Sequence, residues 1–376
     1  MVTATNKSRC FHGGALYSII GDDFQNIQQV DSTIDADVLD AWFSPSPKAI
    51  EALNSRLAWS LRCSPPVVPR GVERAISAAT GIPLESLLCG AGSSTLIFLA
   101  LRELITKDSR VLILDPTYGE YAHVVEKVIG CRYESFELDP QNDFRVDLNE
   151  LADRLNSNAY DLVILVNPNN PSGQLIDRDE LIAAVRQIKQ TTTVWIDEAY
   201  IDYAGSDQSL GIFAASAANV IVCKSLSKVL ALSGLRVAYL SANQRLIEKL
   251  RALTPPWSLS LPAQIVLIEA LKDRQYYERC YGLTHKYRDR LACDLRKCGF
   301  LPRRSVANFL LVDYPDHLPQ VEEFLALCSW HNLLMRNVRS MGNTTGDHCF
   351  RVAVKDDQMN KRIIEILAKV KASFEG

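Results

Sequence analysis

Short apolar runs of β-forming residues recur along the first two-thirds of the chain: "SRVLILDP" (109–116), "DLVILVNP" (161–168), "TTVWIDEAY" (192–200) and "NVIVCKS" (219–225). Each is continuously apolar rather than alternating, the pattern of strands buried on both faces. Between them lie amphipathic stretches such as "DELIAAVRQIKQ" (179–190). That alternation predicts βαβ units and a mostly parallel sheet sandwiched by helices. Each run breaks into polar residues at its C-terminal end, the side on which open α/β sheets carry their ligand crevice.

After "TPPWS" (254–258) the pattern changes to long helical segments over 263–298, short strands near 308–313 and 349–354, and a final helix from about 359. The change predicts a separate, smaller α+β lobe. Residues 1–44 are too irregular for a domain and are expected to pack on that lobe as an N-terminal arm. The expected division is therefore an arm (1–44), a large domain (45–262) and a small C-terminal domain (263–376), within the capacity of 376 residues at 47% hydrophobic.

The net charge of −3 comes from mixed charges without a basic block, so no nucleic-acid partner is expected. The opening "MVTATNKSRC" lacks the apolar core of a signal peptide, and no apolar run is long enough for a membrane span. A cytoplasmic protein is the expectation. Ten cysteines occur singly, without a CxxC pair or a histidine cluster, which points to free, mostly buried thiols and no metal site.

The candidate chemistry begins with "VIVCKSLSKVLALSGLRVAYL" (220–240). A lysine just beyond a buried strand, near apolar neighbours and cations, can have a depressed pKa and serve as an amine nucleophile, so Lys228 is placed for Schiff-base chemistry. Ser225, Ser227 and Arg236 add two hydroxyls and a fork-shaped cation, the groups that a phosphate dianion needs. A lysine beside a phosphate cradle suggests pyridoxal 5′-phosphate. That cofactor calls for a second phosphate contact, a carboxylate for the pyridine nitrogen and a donor for the ring oxygen. "CGAGSSTLIFLALREL" (89–104) opens a helix with Gly92, Ser93 and Ser94, whose N–H and hydroxyl groups can meet a phosphate. Asp197 ends an apolar strand, where a carboxylate is costly unless paired, and a pyridinium N–H would pair it. Tyr200, and Asn170 in "NPNNPSG" (167–173), can reach the ring oxygen, and Tyr118 in "DPTYGEY" (115–121) can stack on the ring. Singly, each has a structural explanation, a plain turn for "NPNNPSG" and core filling for Tyr118. Together, in this order, they point to one site.

The set "NPNNPSG", "DEAY", "SLSK" and "GLR" resembles the fold-type-I pyridoxal-phosphate enzymes of the class I/II aminotransferase superfamily, in the branch of histidinol-phosphate aminotransferases and threonine-phosphate decarboxylases. The resemblance extends over nearly the whole chain. It implies that Lys228 is the Schiff-base lysine and a proton carrier, Asp197 the pyridine partner, Asn170 and Tyr200 the ring-oxygen contacts, and Ser225, Ser227 and Arg236 phosphate ligands. It implies a homodimer with active sites at the interface and a small amino-acid substrate. In "LLMRNVRSMGNTTGDHCFRVAVKDD" (333–357), Arg351 would clamp the substrate carboxylate, with Arg336 as a second contact.

Which bond breaks is less legible. "HGG" (12–14), with His12 as a candidate substrate contact, "PPWS" (255–258) and "FRVAVK" (350–355) are similar to the threonine-phosphate decarboxylases. Two departures stand against a simple transfer of that activity. "LDAWFSPSPKAI" (39–50) has Ser44 and Ser46 where the branch has asparagines, and "LRCSPPVVPRG" (61–71) has Ser64 where it has a tyrosine reaching the neighbouring subunit's phosphate. From Cys10 to Pro47 the arm carries Asp22, Asp23, Asp31, Asp35, Asp37 and Asp40 and no lysine or arginine. Such an arm repels a phosphate ester and attracts a guanidinium, unless it is simply a solvated acidic surface. Relatives in specialised metabolism eliminate from hydroxylated arginines and then cyclise the guanidine. Three readings follow: a lyase acting on a cationic, arginine-like amino acid by elimination with cyclisation or by decarboxylation; an aminotransferase of the histidinol-phosphate type; and a non-catalytic sensor on the same fold, for which no DNA-binding segment is present.

Overall fold

In the computed structural model, residues 13–375 are described. Their strands run in chain order β1 (Ile34–Ala36), β2 (Leu87–Gly90), β3 (Val111–Asp115), β4 (Tyr133–Glu137), β5 (Leu162–Val166), β6 (Thr193–Asp197), β7 (Val220–Ser225), β8 (Ala238–Ser241), β9 (Leu301–Pro302), β10 (Phe309–Asp313), β11 (Leu333–Asn337) and β12 (Cys349–Ala353). They form two sheets. The larger has the order β2-β8-β7-β6-β5-β3-β4 and is parallel except for β8, which runs antiparallel to both neighbours.

The continuous apolar runs are explained by helices on both faces. Val111, Ile113, Leu162, Ile164 and Trp195 pack on one side with Leu96, Ile97 and Leu101 of the helix Ser93–Leu104. Leu112, Leu114, Val163, Leu165 and Val194 turn to the other side, onto Leu181 and Val185 of the helix Arg178–Gln187. With period 2 along β3, β5 and β6, the apolar residues face one layer of helices or the other, and Asp115 and Asp197 come where a strand ends.

The smaller sheet has the order β1-β11-β12-β10-β9. β1 comes from the arm and pairs in parallel with β11, Ile34 opposite Leu333 and Ala36 opposite Met335. This pairing carries Asp37 and Asp40, which follow β1, toward the large sheet. The helical stretch after "TPPWS" divides into Leu261–Lys272, capped by the Ser260 hydroxyl, and Arg274–Lys297, and the last helix is Asp357–Glu375. Among the described residues no helix is long and apolar enough to cross a membrane.

Candidate active site

The C-terminal ends of β6 and β7, the start of the helix Ser93–Leu104 and the small sheet enclose one cavity, lined by Ser93, Tyr118, Asn170, Asp197, Tyr200, Ser225, Lys228, Arg336 and Arg351. Gly92, just before Ser93, approaches Arg236, which is joined to Ser227 by a 3.4 Å hydrogen bond. Ser94 follows Ser93 in the first helical turn but does not line the cavity. His12 lies outside the described residues.

Asp197, the last residue of β6, is buried. The Tyr121 hydroxyl donates to its Oδ2 at 2.6 Å, and the Ala199 N–H donates to Oδ1 at 3.0 Å. Tyr121 is itself fixed by the Trp195 indole N–H, which donates to its oxygen at 2.9 Å. Burial pushes the Asp197 carboxyl up to about 6, against the hydrogen bonds that favour its charged form. A protonated ring nitrogen would supply the missing positive partner.

The phosphate cradle is built around a close approach. Arg236, in the left-handed region at φ 54°, donates through Nη1 to the Ser233 carbonyl at 3.0 Å and to Ser227 Oγ at 3.4 Å. A Cβ on Gly92 would stand 2.6 Å from Arg236 Nη2 and push the guanidinium aside, and at φ +89° the backbone itself favours glycine. Two hydroxyls, a guanidinium and the N–H groups of a 12-residue helix therefore converge on one point, a donor set that suits a phosphate dianion.

Arg336 and Arg351 are directly opposite each other on β11 and β12, and both are buried. Arg351 donates through Nη1 to Asn170 Oδ1 at 2.6 Å and through Nη2 to the Asp37 carbonyl at 2.7 Å, while its buried Nε has no partner. Burial lowers its pKa to about 10, and the Arg336 charge contributes to the fall. Asp37 Oδ1 lies 3.8 Å from Arg336 Nη1, and Asp37 Oδ2 accepts the Gly14 N–H at 3.1 Å. The unpartnered Arg351 Nε is placed to take one more anionic group. Tyr200 packs edge-on against Phe309 at 5.2 Å, and burial pushes its hydroxyl pKa well up. Tyr118 meets Tyr121 edge-on at 6.1 Å and lines the mouth.

The surroundings of Lys228 differ from the sequence-based expectation of apolar and cationic neighbours. Its Nζ lies 2.5 Å from Asp40 Oδ1, a carboxylate from the arm. Of the six arm aspartates, Asp22, Asp23 and Asp31 are exposed, whereas Asp37 and Asp40 reach the site. Tyr121 and Ser233 also escaped the sequence reading. A hint for Tyr121 was present, three residues after Tyr118 in the same strand-end segment.

The sequence profile of "Aminotransferase class I and II" matches residues 45–367. The chain belongs to the class I and II aminotransferase family. The family's cofactor is pyridoxal 5′-phosphate, and the donor set described above fits it. The chain is 28% identical over 327 residues to a histidinol-phosphate aminotransferase of Methanococcus aeolicus, covering 86% of each chain. In fold it is similar to the histidinol-phosphate aminotransferase of Sinorhizobium meliloti, solved in complex with pyridoxal-5′-phosphate (TM-score 0.81, 21% identity, 99% of this chain and 98% of that one). It is also similar to the L-threonine-O-3-phosphate decarboxylase of Porphyromonas gingivalis (TM-score 0.75, 18% identity, 89% of this chain and 98% of that one). These aminotransferase-family structures share the fold-type-I architecture: a mostly parallel sheet between helices, with a smaller α+β part.

Proposed function

We propose that this enzyme acts on an α-amino acid with a cationic, arginine-like side chain, by a lyase-type reaction. The candidates are elimination with ring closure and decarboxylation. The observation behind an amino-acid substrate is the pair of buried arginines faced by Asp37, and the cationic side chain is argued from the six aspartates and the lack of lysine or arginine between Cys10 and Pro47. Arg351, with its unpartnered Nε, binds the substrate carboxylate, and Arg336 stays largely neutralised by Asp37. A phosphate ester at the far end of the substrate would meet the arm's carboxylates; a guanidinium would be attracted.

When bound, pyridoxal phosphate supplies an electron sink for a bond at the amino-acid Cα. In this reading Ser93, Ser225, Ser227 and Arg236 would hold its phosphate beside Gly92, whereas Ser94, outside the cavity, would not reach it. Asp197 would pair with the ring nitrogen, Asn170 and Tyr200 would bind the ring oxygen, Tyr118 would cover the ring face, and Lys228 would carry the cofactor and move protons at Cα. His12 remains a candidate substrate contact on the arm. The arm over 1–44, a cofactor domain over 45–262 and a small domain over 263–376 would then meet at the substrate.

A homodimer is part of the reading. Trp59, Leu61, Val67 and Trp257 are exposed by 46%, 71%, 54% and 56%, and the Trp257 N–H donates to the Val67 carbonyl at 3.2 Å. The two segments thus form one apolar surface that flanks Ser64, and a second copy of the chain would cover it.

A second reading, an aminotransferase of the histidinol-phosphate type, is the one the relatives' names favour. One experiment separates the two. The purified holoenzyme is incubated in heavy water, without a keto acid, with hydroxylated arginines, phosphorylated hydroxy-amino acids and histidinol phosphate, and the products are weighed by mass spectrometry. Loss of water or carbon dioxide with deuterium incorporated, from the cationic substrates alone, supports the lyase. Turnover that needs a keto acid and prefers the phosphate ester establishes the aminotransferase.

A further inference from the structure

The closest charged neighbour of Lys228 comes from a distant part of the chain. Asp40 Oδ1 lies 2.5 Å from Lys228 Nζ, and the Ser233 hydroxyl donates to the same oxygen at 2.6 Å while standing 3.4 Å from the amine. The three side chains come from the arm, from the segment after β7 and from the 3₁₀ turn Ser233–Leu235. Ser233 thus orients the carboxylate that faces the lysine.

Neither of the other two carboxylates at the site takes this place. Asp197 serves the opposite end of the cofactor, and Asp37 faces Arg336. Burial alone would raise the Asp40 pKa, yet the Lys228 charge and the two hydrogen bonds bring it below the usual carboxylate range. The other titratable groups that act on Asp40 are the buried Lys355, which Asp35 also faces, and Tyr200. An ionised Asp40 at neutral pH follows, in contact with the nitrogen that changes its charge during catalysis.

We propose that Asp40 is the counter-ion of the Lys228 nitrogen, positioned by Ser233, and that it stabilises positive charge there both when the lysine is free and when it carries the cofactor. The proposal rests on Lys228 being the cofactor lysine, and it is independent of the substrate. It makes Asp40 a positioning residue that sets how readily the lysine nitrogen gives up its proton.

The test is a pH titration of the visible absorbance of the holoenzyme, a property that needs no turnover. A carboxylate in contact favours the charged form of its partner, so Asp40→Asn must move the titration of the lysine-bound nitrogen to lower pH, by about one unit or more. Asp40→Glu should restore part of the shift, and Ser233→Ala should move it in the same direction by less. A titration of Asp40→Asn that superimposes on the native curve would overturn the proposal. Should Asp40→Asn fail to hold the cofactor, Ser233→Ala decides, and an unshifted curve there is equally fatal. If borohydride reduction of the native holoenzyme fixes the cofactor on a lysine other than Lys228, the site assignment falls and the proposal with it, whatever the substrate proves to be.

Discussion

Arg351 and Asn170, 181 residues apart in sequence, are joined by a 2.6 Å hydrogen bond that links the small sheet to the loop after β5. The guanidinium offered to the substrate carboxylate thus also holds the amide offered to the cofactor's ring oxygen. Binding at one is felt at the other.

The first prediction follows from that link. Arg351→Ala removes a charge-assisted contact to the substrate and should raise KM about ten- to a hundredfold. Asn170 loses one hydrogen bond as well, so cofactor affinity should fall, but by far less than substrate affinity. Steady-state kinetics and a cofactor-binding titration check this, and equal losses in both would contradict the role of Arg351 as the carboxylate clamp.

Gly92→Ala should act on the opposite end of the cofactor. Its Cβ would fall 2.6 Å from Arg236 Nη2 at a φ of +89°, displacing the guanidinium from the cradle. The expected result is a cofactor dissociation constant raised at least about tenfold, for the loss of roughly 1.5 kcal/mol of phosphate interaction. Fluorescence titration of the cofactor-free protein measures it. Unchanged affinity would place the phosphate elsewhere.

Asp197 gives a prediction about pH. Its carboxyl, about 6 in the cofactor-free fold against 3.8 ordinarily, is raised. A raised carboxyl contributes stability below its unfolded pKa and loses it as pH rises through the folded value, here on the order of 3 kcal/mol. A cationic ring nitrogen cancels that loss. The gap in Tm between cofactor-loaded and cofactor-free protein should therefore widen from about pH 4 to about pH 6.5, by several degrees, and stay constant above that. Tyr121→Phe removes the donor at 2.6 Å and should move the widening to higher pH. A gap that is constant with pH would show that Asp197 does not meet a charged partner.

The contrast between Asp197 and Asp40 shows what the sequence could and could not disclose. Asp197 was legible because a carboxylate at the end of an apolar strand is costly, and the strand itself was legible because helices cover both faces of the large sheet. Lys228, Asn170 and Arg236 were legible through their place in short motifs. Asp40 carried no such signal among six arm aspartates; it reaches Lys228 only because β1 pairs with β11, a contact across almost 300 residues that no local pattern encodes. Tyr121 was hidden for a related reason, since its hydroxyl finds Asp197 from the helical turn after β3, two strands across the sheet and 76 residues away. The hydrophobic pattern disclosed the layers, and the packing of the arm decided what faces the lysine.

The most direct test of the central claim is to reduce the holoenzyme with borohydride, digest it and locate the cofactor by peptide mass spectrometry. Three lysines lie near enough to be rivals: Lys228, Lys355, which is buried beside Asp35 and Asp40, and Lys224, which is buried on β7 and paired with Asp202 at 3.0 Å. The account predicts one adduct, on the peptide containing Lys228. An adduct on Lys224 or Lys355, or none at all, would contradict it.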